Sequence, residues 1–221
     1  MNFYDSVEFK EKIKEYDLDI FSHCDLDKPT EIKILDNNYK VKYFYYKEKD
    51  SGINAGRAGS ICHLYKNEEL LYEWKCLYHN SRISNIIEHS NGHKYLIFSE
   101  DLYGYSVLEI DTLKSMHYLP GEYYSDPIGE SFIWSSDIFY NKNNDLLAVE
   151  GCFWGWPVST IVLDFSKPLD VVETNNWRDI RNMFNESYDD ISFKAWYDDS
   201  IEILLDEKES LKIDIKSIFN S

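Results

Sequence analysis

Residues 93–120 read HKYLIFSEDLYGYSVLEIDTLKSMHYLP, and residues 145–172 read DLLAVEGCFWGWPVSTIVLDFSKPLDVV. Laid side by side, the two stretches share one plan. Each has an apolar run, a longer connection, a second apolar run ending in aspartate, a tight turn and a third run. The matching aspartates are Asp111 and Asp164, and Asp214 takes the same place in LKIDIK, so the plan recurs at intervals of roughly 50 residues. An earlier unit, ICHLYKNEELLYEW, carries Asn67 there. Short runs rich in β-branched and aromatic residues, bounded by Asn, Asp and Gly, are strand signals.

Each unit has a further run upstream. EIKIL joins YKVKYFYY through Asp36-Asn37-Asn38, and ISNIIEH joins KYLIF through Ser90-Asn91-Gly92. FIWSSDIFY joins LLAVE through residues 141–145, and ISFKAWY joins IEILLDE through Asp198-Asp199-Ser200. Such clusters between apolar runs are hairpin turns. The expectation is a mainly β, single β-repeat domain over 1–221. It is built of about four antiparallel β-meander units, near 31–78, 83–119, 132–173 and 191–217, with strands a to d in each and no d strand in the last. A short amphipathic helix is expected over 5–17, capped by Asp5, with Val7, Ile13 and Tyr16 as its apolar stripe. A second short helix is expected near 176–184.

Four short strands per unit, with an Asp-bearing turn after the third, resemble the repeats of WD-type β-propellers over residues 31–217. The resemblance implies propeller-blade-like sheets. The Gly-His and Trp-Asp dipeptides of that family are absent, and Gly92-His93 falls elsewhere in its unit. Four units sit at the low end of the 4–8 blades of closed rings. A partly open or oligomer-completed propeller, a twisted meander and a sandwich all fit the strand order. Residues 132–173 are also similar to small bacterial proteins, a likeness that carries no activity with it.

Charge narrows the partners. The 221 residues hold 23 Lys+Arg against 40 Asp+Glu, a formal charge of −17. Nucleic-acid binding needs a basic stripe, and none is present; an anionic membrane surface is disfavoured for the same reason. A basic protein partner suits such a field. Cys24, Cys62, Cys76 and Cys152 form no C-x-x-C pair, and the six histidines show neither H-x-x-H nor H-E-x-x-H spacing, so no metal or other cofactor is expected. No apolar run approaches ~18 residues and no signal-type apolar segment follows Met1. The expected location is cytoplasmic, with reduced thiols.

Connection length locates the expected site. The a–b and c–d turns are short, whereas the b–c loops and d–a connections are long. The b–c loops are 47–59, 99–105 and EGCFWGWP at 150–157; the d–a connections are 120–131 and 174–190. In antiparallel meanders the long connections share one edge, and long loops on a rigid sheet commonly carry binding residues. The residues expected to bind there are Arg57, Glu100, Asp101, Tyr103, Tyr105, Tyr123, Tyr124, Glu150, Cys152, Trp154, Trp156 and Trp177. Aromatic and Arg side chains are typical interface anchors. The function expected from this face is non-enzymatic binding, of the kind an immunity-type neutraliser of a basic partner would perform. The alternative is a hydrolase of carbohydrate or another polar ligand, using paired carboxylates such as Glu100/Asp101 or Glu122/Asp126. No residue is expected to be catalytic under the first reading, and Cys152 has no base beside it in the sequence.

Overall fold

The structure is a computed structural model and describes residues 2–48, 57–77, 83–119, 132–153, 157–170, 177–184 and 188–220. Four antiparallel sheets follow one another along the chain. The first contains β1 (Glu31–Ile34), β2 (Tyr39–Lys47), β3 (Ala58–Lys66) and β4 (Glu69–Cys76); the second contains β5 (Ser84–Glu88), β6 (Lys94–Phe98), β7 (Tyr105–Glu109) and β8 (Lys114–Tyr118). The third contains β9 (Phe132–Asn141), β10 (Leu146–Phe153), β11 (Val158–Asp164) and β12 (Trp177–Asp179). The fourth has three strands, β13 (Ile191–Trp196), β14 (Ser200–Leu205) and β15 (Glu209–Asp214), and α2 (Ile215–Asn220) follows it.

The turns form for the chemical reason their composition implies. Asp36 Oδ1 accepts the N–H of Asn38 at 2.7 Å, Asn91 Oδ1 that of His93 at 2.9 Å, and Asn141 Oδ1 that of Asn143 at 3.0 Å. Each side chain replaces a backbone acceptor two residues before the chain reverses. Asp164 and Asp214 do the same for Ser166 and Lys216. Asn67 and Glu68, at φ 49° and 71°, make the two-residue left-handed turn that suits the twist of a hairpin.

The sheets pack face to face in chain order. Tyr43, Leu64 and Trp74 of the first meet Leu96, Phe98 and Leu108 of the second. On the other face of the second sheet, Tyr95, Ile97, Tyr105 and Val107 meet Trp134, Leu147 and Val149 of the third. Leu146, Ala148 and Val162 then meet Ile191, Ile201 and Ile203 of the fourth. Middle strands buried on both faces must be apolar at every position, as in YLIF and LLAV. Among the described residues no apolar cluster joins the fourth sheet to the first.

The outer face of the first sheet is covered by α1 (Val7–Asp19), whose partners include Phe44 and Ile61. The cap is Ser6, which accepts the N–H of Phe9, because residues 3–5 form a separate 3-10 turn capped by Asn2. The helix therefore begins two residues after the expected Asp5. Its buried stripe is Phe9, Ile13 and Tyr16, continued by Ile20, while Val7 is 66% exposed.

Two further boundaries differ from expectation. The region 177–184 is half strand: Trp177–Asp179 pairs with β11 as the fourth strand of its sheet, and only Ile180–Met183 is helical, as a 3-10 turn. Of the expected loop 150–157, residues 150–153 are ladder, while 154–156 lie outside the described residues. β10 runs to Phe153 and pairs Glu150 with Thr160 and Cys152 with Val158. Gly151 permits this, since its backbone lies so close to Phe132 and the Ile133 carbonyl that a Cβ would overlap both.

Candidate functional site

Polar contacts between neighbouring sheets sort by end. At the short-turn end Lys94 pairs with Asp36 at 3.2 Å, Lys142 with Glu88 at 3.3 Å, and Asn144 donates to the Asp198 carbonyl at 2.8 Å. At the opposite end the Leu77 N–H donates to the Glu100 carbonyl, and the Phe193 N–H to Glu150 Oε1. The sheets therefore share one orientation, and the strand ends from which their b–c and d–a connections leave lie at one end. An open hollow of about 340 Å³, lined by Ile34, Asp36, Tyr39, Lys40 and Glu68, lies at the short-turn end instead.

The expected binding residues meet several fates. Arg57 reaches Asp19 at 2.5 Å and Glu48 at 3.7 Å, over the ring of Tyr16. Asp101 pairs with Lys12 at 3.1 Å, and Lys75 pairs with Asp17. These contacts hold α1 against the first two sheets, so Arg57 and Asp101 face the protein's own helix. Tyr105 and Trp177 are core residues, not surface ones: Tyr105 is fully buried and stacks on Trp134 at 4.4 Å, and Trp177 packs edge-on against Trp134 and Tyr118. Alternation along β7 and β12 turns both inward, a direction the local aromatic density does not reveal.

Tyr103, Glu150 and Cys152 are half-buried at the long-connection end. Burial pushes the Cys152 thiol up from its ordinary value, which suppresses the thiolate a nucleophile needs. Tyr123, Tyr124, Trp154 and Trp156 lie outside the described residues, as do Glu122 and Asp126. Arg178 donates to the Trp177 carbonyl, and Arg181 to those of Val158 and Tyr188, so both guanidinium groups bind main chain. The expected pair Glu100/Asp101 is split, with Glu100 on His117 and Asp101 on Lys12.

Around Glu100 the fold assembles a constellation that the residue spacing alone did not announce. Glu100 follows β6, and its Oε2 lies 2.5 Å from His117 Nδ1 on β8. Ser106, opposite His117 in the ladder, donates to the same oxygen at 2.5 Å. On the far side of the ring, Nε2 lies 2.8 Å from Ser115 Oγ. Tyr4 stacks on the imidazole at 4.2 Å and 5°, and Phe98 meets it edge-on at 6.0 Å. Asn2 fastens this lid by donating to the His117 carbonyl and accepting the Leu119 N–H. The available signal was S-x-H in KSMHY, which places Ser115 and His117 on one strand face.

Among the described residues no group of three or more His, Cys, Asp or Glu side chains is placed to hold a metal ion, and no helix is long and apolar enough to cross a membrane. Cys24, Cys62, Cys76 and Cys152 form no disulfide bond. No protein-family model, curated protein or solved structure matches the chain.

Proposed function

We propose that the protein is a binding protein that receives a basic polypeptide at the end where its long connections gather. The observation that supports this reading is the common orientation of the four sheets, which sets the strand ends bearing the b–c and d–a connections on one rigid end. A formal charge of −17 would speed the approach of a basic partner and weaken with salt. Cysteines without disulfide bonds suit a reducing compartment, and the reading places the protein in the cytoplasm. Binding alone would then neutralise the partner, as an immunity-type protein does. An open propeller-like arc is the architecture this reading assigns to the stacked sheets. A glycosidase working through Glu100 and Asp101 draws no support, since the two carboxylates answer to different bases.

The test is affinity capture at low salt, followed by reconstitution with the purified partner. The expected result is a basic polypeptide whose affinity falls steeply with salt and is lost in Trp154→Ala/Trp156→Ala, while thermal unfolding of that variant stays cooperative. A neutral or acidic partner, or affinity unchanged in the double variant, overturns the proposal.

A further inference from the structure

The hydrogen-bond roles around His117 are forced by chemistry. An ionised carboxylate only accepts, so the nitrogen facing Glu100, Nδ1, carries the proton. In the neutral imidazole Nε2 then holds the lone pair, and Ser115 Oγ donates to it. The order carboxylate, Nδ1–H, Nε2, serine hydroxyl is the arrangement that activates a serine as nucleophile. The two ends of this chain differ in exposure. Glu100 and Ser106 are buried, whereas Ser115 is exposed on β8, the edge strand of the second sheet.

The surroundings add what acyl transfer requires. Tyr72, on β4 of the first sheet, is a neighbour of Ser115. Burial, with the Glu100 charge adding to it, pushes the Tyr4 phenol up to about 12, and burial raises Tyr72 as well. Both phenols therefore stay protonated at neutral pH. A protonated Tyr72 beside Ser115 can donate to the oxyanion that forms when Ser115 attacks a carbonyl.

We propose that Ser115 and His117 form a catalytic serine–histidine pair that hydrolyses carboxylic esters, with Glu100 as the positioning carboxylate. In the first step the Ser115 Oγ–H bond breaks, its proton passes to His117 Nε2, and Oγ bonds to the ester carbon. The bond from that carbon to the alkoxy oxygen then breaks, and the leaving alcohol takes the proton from the imidazolium. A water molecule next gives its proton to Nε2 and attacks the acyl carbon. Ser115 leaves with that proton, releasing the carboxylic acid. No oxidant, metal or cofactor enters the balance. The acidic surface selects neutral or cationic esters over anionic ones. This activity is independent of polypeptide binding at the long-connection end.

The probes are p-nitrophenyl acetate and a fluorophosphonate, applied to the full chain with peptide mapping. The fluorophosphonate is expected on Ser115 of the folded protein and nowhere on Ser115 after unfolding in urea. Release of p-nitrophenolate is expected to fall to the buffer blank in Ser115→Ala, whose exposed side chain leaves folding intact. Glu100→Gln, which places an amide donor against Nδ1 and reverses the tautomer, is expected to label Ser115 at least tenfold more slowly and to lose kcat with KM unchanged, at an unchanged melting temperature. Ser115 unlabelled in the folded wild-type protein, labelled equally in urea, or dispensable for ester hydrolysis overturns the proposal and leaves the network a structural tie.

Discussion

The carboxylate of Glu150, on β10 of the third sheet, accepts the main-chain N–H of Phe193, on β13 of the fourth, at 2.6 Å. The contact lies beside a break in register on each strand, between Val149 and Gly151 on one and between Phe193 and Ala195 on the other. Glu150 and Lys194 are the residues the two registers pass over, and beside these irregularities the Glu150 carboxylate supplies an acceptor to the neighbouring sheet.

That carboxylate contributes to stability with an unusual sign. Burial pushes it above its ordinary range; the Phe193 bond pulls the other way, and Asp137 and Asp190 add to the upward shift. When the folded value exceeds the unfolded one, ionisation opposes folding. The penalty is absent in acid, grows as pH rises from the unfolded value to the folded one, and is fully present above. Gln keeps the accepting oxygen and removes the charge. Glu150→Gln is therefore expected to melt higher than the parent at pH 7 and no higher at pH 3. A difference in melting temperature that is the same at both pH values would show that charge is not the cause.

Gly151 and Gly92 are expected to respond differently to alanine. At Gly151 a Cβ would lie 2.2 Å from the Ile133 carbonyl oxygen and 2.6 Å from the Phe132 ring, so backbone must move. At Gly92 nothing lies within 4 Å, and the only obstacle is φ +88°. Gly151→Ala should cost about 3 kcal/mol or more, as overpacking of rigid neighbours does. Gly92→Ala should cost about 1 kcal/mol, the usual strain of a left-handed residue. Urea unfolding of the two variants measures both, and equal costs would contradict the packing assigned to Gly151.

The attachment of α1 rests on apolar contact more than on charge. Ile20 is fully buried, in the cluster that includes Phe9, Phe21 and Leu77. The Arg57–Asp19 pair has side-chain exposures of 37% and 48%. Ile20→Ala is expected to cost about 2–5 kcal/mol, and Arg57→Ala under about 1 kcal/mol, as for other solvent-screened pairs. Chemical denaturation separates the two. A loss at Arg57 as large as that at Ile20 would assign the helix to electrostatics.

The sheets were legible in the sequence because each is contiguous and its turns carry their own chemistry, as at Asp36, Asn91 and Asn141. Errors arose where a neighbour decided the outcome. Trp177 begins a strand because β11 offers an open edge, a partner more than a dozen residues away. Tyr105 and Trp177 resemble surface anchors in composition, and only the stacking of the second sheet on the third turns them into core. Arg57 and Asp101 looked available because α1 carries their partners far back in the chain. Glu100 was singled out for its charge, yet the histidine and serine that give it a chemical context come from a strand lying across β7.

The bonds made by Asn2 set an order of assembly. Most pairings in this protein join strands adjacent in the chain, and such local contacts form early in folding. Asn2 instead reaches His117 and Leu119, across 115 and 117 residues. Those acceptor and donor groups are in place only once the second sheet exists. During synthesis the segment around Tyr4 emerges before its docking site and waits for it, with the first sheet already complete. The ring that covers His117 is thus added late to a scaffold that does not need it for strand pairing.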